Sequence, residues 1–595
     1  MTAKKKNGAG SAKGQEEESS PKAAAGHKHE RAASTDDVLK HPSTKRAKEI
    51  DSTENPNDEL RQLMEKHDTD DNNNDDDNND GDKVRNVLHW FRSKDLRVED
   101  NRALHAAAEK AAQGKGGGGG GCLLACFLYS PEDLEWHGTS PARTDFMLEG
   151  LRIVQEQLAD DLHVPLVFLT AEERGMKTDR VLEFIRDNDV SHVYANIEYE
   201  VDELRRDIDM FHQLDGHGVK LVLHHDQTVV GPGRLTTGAG GPMKVFTPYH
   251  KAWLAEVANE PELIDTLPAP RPNDKAVKNG GKTKKLFGSP LPGIPESKQY
   301  ASDDEKNRLR ELWPPGHAAG IKRLHDFLDA KVDTYSTNRS NPAADNASRM
   351  SAYFSSGMVS VREALDATRQ RKGGGGGGSG KKGGSAVDFS QSGPGGGGVA
   401  AWVREIVFRE FYRHMMVVLP HNSMNLPQNL KFDFVQWEDD EEGWRKWCEG
   451  KTGMPFVDAG MRQINHEAYM HNRLRMNTSS YLSRSLLIDY RRGERYFAEH
   501  LIDWDLCNNT QGWEPSYTVF NPVTQAEKND PGGDYIRRWV PELRGVEGKA
   551  VFDPYNRLSR DEFDKLGYPA PHVDFKESKE RCVQRYKQDM ADADP

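Results

Sequence analysis

Val87-Leu88-His89-Trp90-Phe91 is a short apolar run between polar residues, and four β-rich runs follow it: Cys122–Tyr129, Leu162–Thr170, His192–Ile197 and Lys220–His224. Helical stretches separate them. This βα rhythm implies a parallel sheet covered by helices. No Gly-x-Gly-x-x-Gly follows the first run, so a dinucleotide-binding reading of the sheet lacks its usual support. After residue 300 the β-like runs stop and helical periodicity takes over. Eight of the 11 tryptophans lie there (Trp313, Trp402, Trp437, Trp444, Trp447, Trp504, Trp513, Trp539), which points to a bound aromatic cofactor as well as to core packing. The expected fold class is an α/β parallel-sheet domain, Rossmann-like in rhythm, followed by an all-α domain.

Working outward, the 595 residues exceed one ordinary core. Residues 1–84 read as a disordered tail that ends in an Asn/Asp tract, where eight aspartates between Asp68 and Asp82 must stay solvated. Two basic clusters in the tail, Lys4-Lys5-Lys6 and Lys45-Arg46 with Lys48, suit a nuclear address. The sheet domain is expected over 85–229. A Gly/Pro/Lys-rich inter-domain linker is expected over 230–300, the helical domain over 301–565, and a C-terminal tail over 566–595. The six-glycine run 116–121 reads as a loop, and the glycine-rich stretch 373–398 as a disordered insertion. No apolar run reaches the roughly 20 residues of a membrane helix. Of the five cysteines only Cys122 and Cys126 have paired spacing, and they sit in an apolar run, so neither a disulfide scaffold nor a zinc finger is expected and a reducing compartment fits. The net charge of −14 argues against indiscriminate nucleic-acid binding, yet Arg462 to Arg495 is locally basic and suits an anionic partner.

Trp402, Glu405 and Arg409 share one helical face, offering a stacking plane, an acceptor and an anion clamp, or simply an i, i+4 ion pair. Asn472, Arg475 and Met476 share another. Asp503 and Asp505 are two carboxylates beside Asn508-Asn509 and Trp513, with no His or Cys at ligand spacing, so no metal is expected. The better partner for Asp503 is an arginine such as Arg475, a pairing that tunes charge near a cofactor.

Taken in order, Leu88-His89-Trp90-Phe91-Arg92 with Asp95-Leu96-Arg97 and Asp100-Asn101, then Thr452-Gly453-Met454-Pro455, Val457-Asp458-Ala459-Gly460-Met461-Arg462, His471-Asn472-Arg473-Leu474-Arg475-Met476 and Gly493-Glu494-Arg495-Tyr496-Phe497, resemble the signatures of the DNA photolyase/cryptochrome flavoproteins. The resemblance covers about residues 86–545. It implies an α/β antenna domain and an α-helical domain that binds FAD. Tyr335, Ser348, Met350 and Ser351 match flavin-phosphate positions, and Trp402, Glu405 and Arg409 lie beside cofactor and lesion. Asn472, Arg475, Asp503 and Asp505 match the isoalloxazine and adenine surroundings, and Asn509 the position facing flavin N5. Arg339, Arg473 and Gln525 match DNA-contacting positions, with Glu405, Phe408, Asn472 and Met476 at the lesion. Trp513, Tyr490 and Trp437 match the photoreduction chain, with Trp504 as another exit and Trp444 and Trp447 as core residues. His137, Asp202 and Glu203 resemble a 5,10-methenyltetrahydrofolate antenna site, a deazaflavin being the alternative.

Asn472 and Met476 stand where photolyases for the (6-4) photoproduct resemble one another in carrying histidines, so a cyclobutane pyrimidine dimer is the expected substrate. The resemblance then implies a monomeric deoxyribodipyrimidine photo-lyase that flips the dimer out of UV-damaged DNA, expected in the nucleus with the cytoplasm or mitochondrion as alternatives. Three departures stand out. Phe408 replaces a tryptophan of the lesion pocket. Pro515 stands where a second tryptophan follows Trp513, in a shortened loop. Ala347 replaces a threonine of the phosphate turn. These departures support a rival reading, a cryptochrome-like blue-light photoreceptor without repair.

Overall fold

The computed structural model describes residues 40–73, 84–114, 121–373, 389, 396–591 and 593–595, with the side chains of 67–73, 371–373 and 396 left aside. Five strands, β1 (Asn86–Phe91), β2 (Leu123–Tyr129), β3 (Leu166–Thr170), β4 (Val190–Asn196) and β5 (Lys220–His224), form one parallel sheet in the order β3-β2-β1-β4-β5. Every residue of β4 is buried, which is why the strands read as continuous apolar runs and not as alternation. The order reverses between β1 and β4, so their carboxyl ends open a crevice suited to a ligand. The helical part follows, as the aromatic-rich helical periodicity requires.

Three expected boundaries are corrected. Residues 230–300, read as a linker, carry a helix Phe246–Asn259 that buries Phe246, Tyr249, Trp253 and Val257. Their spacing of three or four was masked by flanking Gly, Pro and Lys. This helix is docked by the buried Glu410, whose carboxylate accepts from Val229 N (2.8 Å), Val230 N (2.9 Å) and Trp253 Nε1 (2.7 Å). Within the segment read as a disordered tail, residues 44–52 and 56–73 form helices α1 (Thr44–Ser52) and α2 (Pro56–Asn73). Ala47 packs with Leu426 and Leu430 of the helical domain, while Leu60 joins the core on one face of the sheet. Asp51 also holds the buried His421 (2.6 Å). The C-terminal tail contains a helix, Phe575–Ala591, that buries Cys582, Tyr586 and Met590 against Phe432 and Val435. Few apolar residues at regular spacing suffice here because a preformed surface receives them. Most of the glycine-rich insertion, residues 1–39 and the latter part of the Asn/Asp tract lie outside the described residues.

The two halves are clasped by charges. Arg362, in the helix Val361–Gly373, donates to Asp100 Oδ2 (2.9 Å) and Asp226 Oδ1 (2.6 Å), and Arg97 also binds Asp226 at 2.5 Å. All four side chains are buried, so the carboxylates are viable only because each is paired. Among the described residues no helix is long and apolar enough to cross a membrane.

Candidate functional site

The helix Gly396–Val418 forms one wall of the candidate site. Trp402, Glu405 and Arg409 fall on its inner face, but the i, i+4 pair Glu405–Arg409 does not form. Glu405 instead ion-pairs with Arg339, at the end of the helix Tyr335–Asn338. Arg409 donates to Gln227 O (2.8 Å) and Phe354 O (3.0 Å), so backbone carbonyls fix it in place. Burial and the neighbouring Arg413 draw its pKa down to about 9. Trp402 packs on Phe327 (5.2 Å), and Tyr335 sets its ring edge-on to the same phenylalanine (5.6 Å).

Ser348, Met350 and Ser351 lie on the turn into the helix Ser351–Ser355. Met350 N donates to Ser348 Oγ (3.4 Å), and Arg349 in this turn holds a left-handed φ of 52°. Arg475, in the helix Asn472–Ser480, donates from Nη2 to both oxygens of Asp503 (3.0 and 2.8 Å). Asp505 pairs with the fully buried Arg413 and caps the helix Leu506–Gly512 by accepting Asn508 N (3.0 Å). Burial works against its charge, yet Arg413, Lys94 and Arg409 hold its carboxyl well below the ordinary carboxylate range. Asn509 Nδ2 donates to Glu494 O (3.0 Å), and among the described residues nothing donates to its Oδ1. Burial pushes the Glu494 carboxyl up to about 7.

At the rim, Arg473 donates to Ser340 Oγ (3.1 Å) and lies 3.7 Å from Met476 Sδ, with Asn472 exposed beside them. Burial, then the charge of Arg339, lowers the pKa of Arg473. Burial raises that of Glu405 against the pull of Arg339, Arg404 and Arg473. Gln525, in the helix Pro522–Asn529 that packs on Asn472–Ser480, accepts from Asn529 Nδ2 through O (2.7 Å) and Oε1 (3.2 Å). Phe408 is turned elsewhere: it stacks face to face on Phe246 at 3.3 Å and 9°. Pro515 is buried.

The profile described as the FAD binding domain of DNA photolyase matches residues 402–588, and that described as DNA photolyase matches residues 87–272. The deoxyribodipyrimidine photo-lyase of Neurospora crassa is 37% identical over 528 residues, covering 85% of this chain and 82% of that protein. The chain belongs to the DNA photolyase family. The Escherichia coli deoxyribodipyrimidine photo-lyase is 33% identical over 510 residues, covering 84% of this chain and 98% of its own. The solved structure of a bacterial class III photolyase from Agrobacterium tumefaciens superposes with a TM-score of 0.70 at 27% identity, covering 86% of this chain and 98% of that one.

As a photolyase the chain is an FAD-binding enzyme, and its residues fit the dinucleotide. Among the described residues Arg409 Nε and Asn346 Nδ2 are buried without a partner, as donors reserved for a phosphate or ring carbonyl would be. Asn346, which the sequence reading missed, is held by Thr334 Oγ1 (3.3 Å) next to Tyr335. Among the described residues no cluster of His, Cys, Asp and Glu is arranged to hold a metal ion.

Two of the three residues expected at an antenna site line a separate cavity of about 140 Å³ at the carboxyl ends of β1 and β2. Its walls include His137 and Glu203, together with Arg92, Arg143, Arg206 and Trp504, none of which the sequence reading assigned there. Asp202 is absent from that lining, and its carboxylate binds Arg174 Nη2 (2.7 Å). Burial, then Glu200 and Glu198, pushes Glu203 up to about 8, and burial draws His137 down to about 4. Trp504 sits 6.1 Å from His137 and lines this cavity. Tyr490 touches Trp437 (6.1 Å), but the ring partners of Trp513 are Phe497 (4.9 Å) and Trp447 (6.2 Å).

Proposed function

We propose that this photolyase repairs cyclobutane pyrimidine dimers in DNA, driven by blue light. The observation that carries the reading is the rim, where Arg339 and Arg473 flank Glu405 beside the exposed Asn472 and Met476. Two cations on different elements suit the phosphates on either side of a flipped dinucleotide. Glu405, held by Arg339, offers a carboxylate acceptor for a pyrimidine N–H. Neither Asn472 nor Met476 can protonate a lesion, which argues against the (6-4) photoproduct.

FAD, when bound, supplies the light absorption and the electron that opens the cyclobutane ring. Tyr335, Ser348, Met350 and Ser351 would hold its phosphates. Trp402, Arg409, Asn472, Arg475, Asp503, Asp505 and Asn509 would hold its rings. The protein's part is to fix charge and protons there. Asp503 orients Arg475 as a bidentate partner, and the Glu494 carbonyl orients the Asn509 amide so that Oδ1 accepts an N–H. In the second cavity we assign 5,10-methenyltetrahydrofolate as the antenna, with neutral Glu203 as a donor to it and His137 as a neutral wall. A monomer in the nucleus completes the reading. It is supported by the two basic clusters, although Arg46 is already engaged by Glu49 and Glu54 in α1.

The stack of Phe408 on Phe246 favours one second reading, a photoreceptor that kept the flavin and lost the lesion pocket. The two separate on one assay: reduced, purified protein with a thymine-dimer oligonucleotide under blue light. Light-dependent recovery of base absorbance is expected. No recovery from protein carrying reduced FAD overturns the repair reading in favour of the photoreceptor.

A further inference from the structure

We propose that electrons enter this protein's flavin site from the surface through Trp444, Trp447 and Trp513, and not through Trp437 and Tyr490. The proposal rests on the flavin lying beside Asn509, as in the proposed function; Trp513 ends the same helix, Leu506–Gly512. Electron hopping falls off steeply with the gap between ring edges, so contiguity of rings decides the route. The buried Trp513 meets Trp447 at 6.2 Å and 69°. Trp447 in turn stacks on Trp444 at 5.5 Å and 20°. These two are i, i+3 neighbours on the helix Glu441–Glu449, and Trp444 is partly exposed, within reach of a solvent reductant.

The other branch shows no such ring-to-ring continuity at Tyr490. Among the described residues its only aromatic ring partner is Trp437, and no ring contact joins it to Trp513. Its hydroxyl is buried without a hydrogen-bond partner among the described residues. Oxidised tyrosine persists only when its phenolic proton has somewhere to go, and here it has no acceptor. Trp437 Nε1 is likewise buried and unpartnered, whereas Trp447 Nε1 donates to Thr478 O at 3.0 Å, and that carbonyl stabilises a positive indole. Arg492 lies 4.4 Å over the Trp444 ring, but Glu441 pairs with it at 2.5 Å, so its charge is largely offset. A Cβ on Gly493 would collide with the outer edge of Trp513, so this glycine lets the indole seat itself.

In this route one electron leaves the Trp444 indole for each electron the photoexcited oxidised flavin takes up. Trp447 and Trp513 are oxidised and re-reduced in passing. Oxidised Trp444 releases its indole proton to water, and an external thiol returns one electron and one proton.

The test uses the full, FAD-loaded chain with thiol present, and the variants W444F, W447F, W437F and Y490F. Paramagnetic resonance after a flash, with ring-deuterated tryptophan or tyrosine in turn, identifies the radical directly. A tryptophan radical that disappears in W444F is expected. The yield of light-driven flavin reduction is expected to fall by about tenfold or more in W444F and W447F and to change by less than about twofold in W437F and Y490F. W444F, only partly buried, carries the test if W447F fails to fold. Loss in Y490F or W437F with W444F unaffected, a tyrosine radical, or no radical at all overturns the route. Failure of chemically pre-reduced parent protein to repair dimers, with the Trp444 radical intact, overturns the repair reading alone.

Discussion

Asp505 has two separable duties, and replacing it with asparagine isolates one. Asparagine caps a helix as well as aspartate does, so the bond from Asn508 N survives while the charge opposite Arg413 is lost. Arg413 is fully buried and keeps only its bonds to Gln227 Oε1 (3.1 Å) and Arg409 O (3.1 Å), with the Arg409 cation adjacent. Removing one side of a buried ion pair costs about 3–5 kcal/mol, and the retained amide places Asp505→Asn near the lower figure. At about 2–4 °C per kcal/mol for a domain of this size, Tm drops by roughly 6–12 °C. Asp505→Ala also loses the cap, about 1 kcal/mol and roughly 2–4 °C more. Because the folded carboxyl lies below its unfolded value, its stabilisation is complete above roughly pH 4 and is lost as pH falls towards the folded pKa. The gap between parent and variant therefore narrows in acid. Thermal unfolding by circular dichroism, with flavin absorbance recorded in parallel, measures all of this. An Asp505→Asn protein melting within about 1 °C of the parent at pH 7 would refute the assignment of the pair as a fold determinant.

Glu405→Ala is expected to weaken binding of a dimer-containing oligonucleotide by about tenfold, the worth of one charge-assisted hydrogen bond, while flavin content is unchanged; equal affinity removes Glu405 from lesion recognition. Glu203, raised to about 8, makes the folded state lose stability as pH climbs from the unfolded carboxylate value of about 4.3 towards 8. Glu203→Gln is therefore expected to melt higher than the parent at pH 8 and equally at pH 4, and identical melting at both values contradicts a buried, neutral Glu203. A chain beginning at Val84 loses α1 and α2, exposing Leu426, Leu430 and the face covered by Leu60; a lower Tm with retained FAD is expected, and unchanged melting means those helices add nothing.

The strands were legible because parallel strands buried on both faces leave continuous apolar runs, and β5 was read with its exact ends. The helix over Phe246–Asn259 was not, because a window averaged over its glycine- and proline-rich flanks hides an apolar residue every third or fourth position. Cys582, Tyr586 and Met590 repeat at i, i+4 and i+8, a signal that reading by composition passed over. At the site, residue types and spacing pointed to the Arg475–Asp503 pair. Partners brought in by tertiary packing were out of reach: Arg339 for Glu405, Arg413 for Asp505, and Trp447 in place of Tyr490 beside Trp513. Spacing along a helix says which side chains share a face, but what meets that face comes from other elements, here 66 residues away for Arg339 and 92 for Arg413.

The Phe246–Phe408 stack ties the helix Phe246–Asn259, inside the 87–272 match, to a residue of the 402–588 match. Grafting the 230–300 segment from a relative with a tryptophan at position 408 would bring a loop fitted to a larger ring, so segment and pocket residue have to be exchanged together. In a chimera series the two would behave as one inheritable unit, and Phe408→Trp alone would be rejected until Phe246 is made smaller.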